Sequence, residues 1–117
     1  MRKLILLIIF SLGMLLSFNT YDYIYSSASW YGGKHHGRYT ASGKVFNKNM
    51  LTAAHKTLKF GTKLEVVNIN NDKNVIVEVT DRGPFVKGRD LDLSEGAFKQ
   101  IANLKSGVIK IKYKIVN

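Results

Sequence analysis

The sequence predicts a mainly β domain, a small β-barrel with one or two short helices. Residues 62–69 (TKLEVVNI) and 75–80 (VIVEVT) are apolar, β-branched runs separated by NNDKN, so they read as a hairpin whose loop exceeds two residues. Residues 107–116 alternate, with Ile109, Ile111, Tyr113 and Ile115 on one face and Lys110, Lys112 and Lys114 on the other: a strand with one wet face. Short strand-like runs punctuated by glycine-bearing loops fit a barrel better than a helical bundle or a doubly wound sheet. At 117 residues the chain is long enough for one such domain and too short for two.

Taken in order, the chain opens with MRKLILLIIFSLGMLLSF, basic at Arg2 and Lys3 and apolar from Leu4 to Phe18. That order predicts a signal peptide or an uncleaved N-terminal membrane anchor over residues 1–18. Residues 19–27 (NTYDYIYSS) are poor in core signals and read as a linker, which places the barrel domain at 28–117. Around NMLTAAH (49–55) a single helical turn is expected, although the apolar run is too short to separate helix from strand. Ser94 is a good N-cap for EGAFKQIANL, in which Phe98, Ile101 and Ala102 share one helical face and Glu95 sits in the first turn.

There is no cysteine, so packing and hydrogen bonds alone must hold an exported domain together. Beyond residue 27 the chain carries 16 Lys and Arg against 7 Asp and Glu. Such a surface suits a polyanion. Export and lysines scattered singly argue against nucleic acid.

Asp81 in VTDRGPF ends an apolar run where Gly83 and Pro84 must stop a strand. A carboxylate there is either rigidly presented chemistry or a partner of turn amides, and spacing alone favours the turn. Asp90 and Asp92 in RDLDLS lie two apart, on one face if extended, and either is a candidate second carboxylate. A metal site is not expected, because adjacent His35 and His36 cannot point the same way in a strand and no thiolate exists. Trp30 and Tyr31, among several glycines, offer aromatic faces for stacking on sugars, or simply core.

Together, ASWYGGKHHGRYTASGKVF, LTAAHKTLKFGTKLEVVN, VIVEVTDRGPF, RDLDLS and the closing strand resemble the rare lipoprotein A family of bacterial envelope proteins, over residues 28–116. The resemblance implies a six-stranded double-psi β-barrel related to expansins, and lytic transglycosylase activity on peptidoglycan glycan strands, especially those stripped of stem peptides. It implies Asp81 and His55 as catalytic residues and Trp30, Tyr31, Lys44 and Arg82 as substrate-binding ones, with no cofactor. It further implies a monomer in the periplasm or cell envelope.

At the position of a family glutamate this sequence has Lys44. A carboxylate beside Asp81 would keep it protonated by like-charge repulsion, whereas an ammonium would do the reverse. If Lys44 points to solvent, Asp81 is left to work alone. A single acid/base residue suits lytic cleavage, in which the muramyl 6-hydroxyl is the nucleophile, better than hydrolysis by two carboxylates. The alternative is a non-catalytic, expansin-like wall-binding module.

Overall fold

The computed structural model describes residues 23–116. The expected signal peptide or anchor (1–18) and residues 19–22 of the expected linker lie outside them. Six strands, β1 (Ile24–Tyr31), β2 (Thr52–Ala54), β3 (Lys63–Asn68), β4 (Asn74–Asp81), β5 (Leu91–Ser94) and β6 (Ile109–Ile115), close into a barrel in the order β1-β5-β2-β4-β3-β6. The expected hairpin is β3–β4, paired antiparallel from Lys63↔Glu78 to Val67↔Asn74. β6 joins β3 on one side and β1 on the other, both antiparallel, whereas β1–β5 and β2–β4 are parallel.

Alternation fills the interior. Leu64, Val66, Val77, Val79, Leu91, Leu93 and Ile111 are buried there with the small Ala28 and Ala53. On β6, Ile109, Ile111 and Tyr113 are buried and Lys110 is exposed, as the pattern predicts, while Ile115 at the strand's end is exposed. The helix α1 (Glu95–Ile101) starts where expected, with Ser94 Oγ accepting from the Ala97 N–H. Phe98 and Ile101 are buried against the barrel, and Ala102 becomes the C-cap. A Cβ on Gly96 would lie 2.7 Å from the Asn49 carbonyl oxygen, so only glycine lets α1 approach that loop.

Two expectations need correction. β1 takes in residues 24–27, which read as linker; their tyrosine, isoleucine and serine side chains are compatible with a strand, and β6 supplies the ladder, from Ile24↔Tyr113 to Ala28↔Ile109. The turn expected near 49–55 is instead strand β2 over residues 52–54, gripped on one side by β4 and on the other by β5. Neighbours distant in sequence decide its conformation. Among the described residues α1 is the single α-helix, joined by 3-10 turns at Gly33–His35 and Leu104–Ser106.

Candidate active site

Asp81 closes β4. Beyond it Gly83 has φ 121° and Pro84 has no N–H, so the ladder stops and the carboxylate stands at the strand's end. Its Oδ1 accepts from the Ala41 N–H at 3.0 Å and the Arg82 N–H at 2.9 Å. Two segments thus fix one oxygen and leave Oδ2 for other partners. The loop carrying Ala41 is tied down nearby, with Ser42 N–H donating to the Thr80 carbonyl at 3.2 Å.

The sheet register decides what stands beside Asp81. Ala54 of β2 faces Asp81 on β4 and, on its other side, Asp92 on β5, which in turn faces Ser29 on β1. The row Ser29, Asp92, Ala54, Asp81 therefore crosses four strands on the barrel's outer surface. Ser29 Oγ donates to Asp92 Oδ1 at 3.0 Å, and Arg89 Nη1 reaches Ser29 Oγ at 3.4 Å. Burial raises the Asp92 carboxyl from its ordinary value and Asp81 adds a little to this, against the Ser29 hydrogen bond, Arg89 and His35.

Tyr31 lies on the same face as Ser29, its ring 4.6 Å from Phe46 and 5.5 Å from His35. Its hydroxyl is pushed up, chiefly by burial and then by the charges of Asp81 and Asp92. Tyr31 Oη, Thr52 Oγ1 and Thr80 Oγ1 are buried without a hydrogen-bond partner. Thr52 lies close enough to Tyr31 for its hydroxyl to work against that shift. Thr52 and Thr80 also line a cavity of about 470 Å³ with Lys44, Phe46, Met50 and Glu78.

Lys44 turns its ammonium to Glu78. Its Nζ pairs with Glu78 Oε2 at 2.8 Å, and Lys63 Nζ with Glu78 Oε1 at 3.0 Å, which holds the Glu78 carboxyl below its ordinary value, Lys44 contributing first. The expected substrate residue is therefore the wall of that cavity, neutralised in part by a carboxylate.

His55 meets Asp81 through the backbone, its N–H donating to the Asp81 carbonyl at 3.1 Å. Its ring is otherwise engaged. Nδ1 accepts from the Thr57 and Leu58 N–H groups at 3.1 and 3.0 Å, so Nε2 carries the proton and meets Tyr113 Oη at 3.3 Å. Tyr113 in turn donates to Asp90 Oδ2 at 2.7 Å. Burial lowers the His55 pKa, with Lys56 and Arg82 acting the same way against Asp90. These residues line a second cavity, about 700 Å³, with Ile24 and Leu58.

Arg82 clamps the same loop. Its Nη1 donates to the carbonyls of His55 at 3.2 Å and Leu58 at 2.7 Å, and its guanidinium sits 3.9 Å over the Phe60 ring. Trp30 alternates to the core side of β1, its indole N–H donating to the Leu104 carbonyl at 3.0 Å and its ring packing on Phe98. The structure thus gathers Asp81, Asp92 and Tyr31 on one face with Lys44 at its flank, and commits His55, Arg82 and Trp30 to holding the frame. Ser29, Thr52, Thr80 and Glu78 escaped the sequence reading. Of these, Ser29 had a signal, lying two residues from Tyr31 in a strand.

A closed ring of six strands, mixed parallel and antiparallel, with one helix packed on it is a double-psi β-barrel. The chain belongs to the family described as lytic transglycolase, which it matches over residues 24–113. It is 54% identical over 94 residues to the probable endolytic peptidoglycan transglycosylase RlpA of Aquifex aeolicus, covering 80% of this chain and 42% of that protein. It is 49% identical over 89 residues to the endolytic peptidoglycan transglycosylase RlpA of Campylobacter jejuni, covering 76% and 32%. The chain thus spans less than half the length of these relatives. In fold it is similar to the Streptomyces papain inhibitor, with TM-score 0.69 at 23% identity over 83% of this chain and 96% of that one. It is also similar to the Clavibacter michiganensis expansin solved as a d78n mutant with cellohexaose, with TM-score 0.66 at 23% identity over 81% and 50%.

Proposed function

We propose that this domain is an exported, endolytic peptidoglycan lytic transglycosylase of the cell envelope, with Asp81 as its acid/base group. The observation that carries this reading is Asp81 itself, a carboxylate fixed through one oxygen by two amides at a strand end. Relatives named as endolytic peptidoglycan transglycosylases support the substrate class.

In lytic cleavage the glycosidic C1–O4 bond breaks while the muramyl 6-hydroxyl oxygen closes on C1. One proton must reach the leaving O4 and another must leave O6, so the reaction consumes none overall. Asp81 Oδ2, the oxygen the two amides do not engage, would exchange these protons. Tyr31 and the exposed Lys44 would contact the glycan, and His55 and Arg82 would orient the loop beside the site.

The test is to incubate the protein with denuded glycan strands and analyse the ends by mass spectrometry. Wild type is expected to release 1,6-anhydromuramyl ends and Asp81→Asn to lose at least about 100-fold of that rate. Absence of the anhydro product from wild type, where a relative is active, refutes the reading. The Lys44–Glu78–Lys63 wall favours a second reading, an expansin-like module that binds glycan without cleaving it. It predicts salt-sensitive binding to peptidoglycan that survives Asp81→Asn in a folded protein.

A further inference from the structure

Tyr23, the first described residue, shows where the chain enters the barrel. The Lys112 and Lys114 ammoniums stand 4.5 and 4.7 Å from its ring, and its hydroxyl donates to Glu65 on β3. What precedes β1 is therefore joined to the barrel over the outer face of β6. Around the ring β1-β5-β2-β4-β3-β6, β6 is three places from β2 in either direction. The face under Tyr23 is thus opposite the one on which Ala54 lies between Asp81 and Asp92.

This β6 face has the side chains of a headgroup layer. Lys110, Lys112 and Lys114 point outward while Ile109, Ile111 and Tyr113 are buried, a stripe whose Cα atoms span about 14 Å. Their neighbours across the ladders are Ser27 and Tyr25 on β1 and Val67 and Glu65 on β3, a single carboxylate among four residues. Tyr25, 70% exposed, turns its ring to solvent beside Lys112. At a bilayer surface lysines bury their stems and lift their ammoniums to phosphate level, and tyrosines set an apolar ring and a polar tip at the same depth.

We infer that the β6 face docks on anionic phospholipid headgroups, with the apolar run Leu4–Phe18 as the anchor in the same bilayer, so that Asp81 is turned away from the membrane. Charge complementarity and the length of the tether carry this assignment. Five residues lead from Phe18 to Tyr23, at most about 18 Å of extended chain, which keeps the face from which the chain leaves nearest the lipid. There each lysine contributes about fivefold to docking, and the three together about 100-fold. The surface is independent of how Asp81 acts. In a domain that cleaves glycan, it leaves the site open toward the wall.

The experiment uses the full chain reconstituted in vesicles of phosphatidylcholine with about one-third phosphatidylglycerol, and in phosphatidylcholine alone. The chain has no cysteine, so one fluorophore can be placed at Ser27→Cys beside Lys110, or at Met50→Cys in the wall of the smaller cavity. With a nitroxide on the lipid headgroups, the label at 27 should be quenched in the anionic vesicles and the label at 50 should not. Quenching at 27 should fade in neutral vesicles and at high salt while the chain still floats with the lipid. Replacing Lys110, Lys112 and Lys114 together by Gln keeps the alternation of β6, and circular dichroism checks the fold. That variant should lower the docking constant by about 100-fold and abolish the difference between the two labels.

Equal quenching at both positions, or stronger quenching at 50, overturns the inference. So does a full chain that floats with neither vesicle. If the lysine variant loses sedimentation with purified peptidoglycan while wild type shows no quenching at 27, the polyanion is the wall and the lipid assignment falls. On soluble denuded strands the lysine variant should release anhydro product at the wild-type rate, so failure of the docking face leaves the lytic reading standing.

Discussion

Replacing His55 separates framework from chemistry. In the folded chain Nδ1 accepts two loop amides at 3.1 and 3.0 Å and Nε2–H meets Tyr113 Oη at a longer 3.3 Å. With ~1 kcal/mol for each amide bond and about half that for the longer one, His55→Ala should cost about 2–3 kcal/mol. With a urea slope of ~1.5 kcal/mol/M, the midpoint falls by about 1.3–2 M. His55→Asn places an amide oxygen where Nδ1 stood, so it should regain about half that loss. The His55 pKa lies below its ordinary 6.5, so the ring's contribution is complete above that pH and is lost as pH falls through the folded value. The stability gap between wild type and His55→Ala should therefore narrow in acid. On denuded strands His55→Asn should keep most of the wild-type rate. A His55→Asn protein as stable as wild type, yet inactive and missing one limb of its pH–rate profile, would falsify the framework role and make the imidazole a proton carrier.

Three further outcomes follow from the same contacts. Gly96→Ala sets a methyl 2.7 Å from the Asn49 carbonyl oxygen, and should lower stability by about 1–3 kcal/mol in the same urea experiment. Lys44→Glu replaces an exposed ion pair by two facing carboxylates, so stability should fall by less than about 1 kcal/mol. Titration should show Glu78 moving up, while the anhydro-product rate stays within a few-fold of wild type because the Lys44 ammonium is engaged by Glu78. Arg82→Lys gives up a guanidinium that serves two carbonyls and the Phe60 face, and amide exchange in residues 55–60 should rise by about tenfold or more.

What was legible in the sequence was what is local. The hairpin of β3 and β4, the alternation of β6 and the Ser94 cap depend on neighbours within a few residues, and each appears as read. Asp81 was legible twice, since it does bond turn amides and also stands at the site. Strand β2 was not, because three residues with little intrinsic preference take their form from β4 and β5. The same crossing hides the pairing of Asp81 with Asp92 about Ala54. Trp30 and Tyr31 are adjacent and so point to opposite faces, which alternation states, but which of them faces the core depends on where the ring closes. Lys44 drew attention by what it replaced, whereas its partner Glu78 lies 34 positions away and only the fold reveals it.

The ring closes where β1 meets β6, the first described strand against the last. That seam makes the fold indivisible along the chain. A fragment that stops short of residue 109 leaves β1 and β3 as open edges, ready to pair with another molecule, so a stable half-barrel is not available to proteolysis or to synthesis in progress. Tyr23 lies beside Lys112 and Lys114, so the two ends of the described chain are within a short linker of each other. A circular permutant joined there and reopened in the 69–73 turn keeps every strand neighbour and should fold, whereas a deletion that removes β1 or β6 should not.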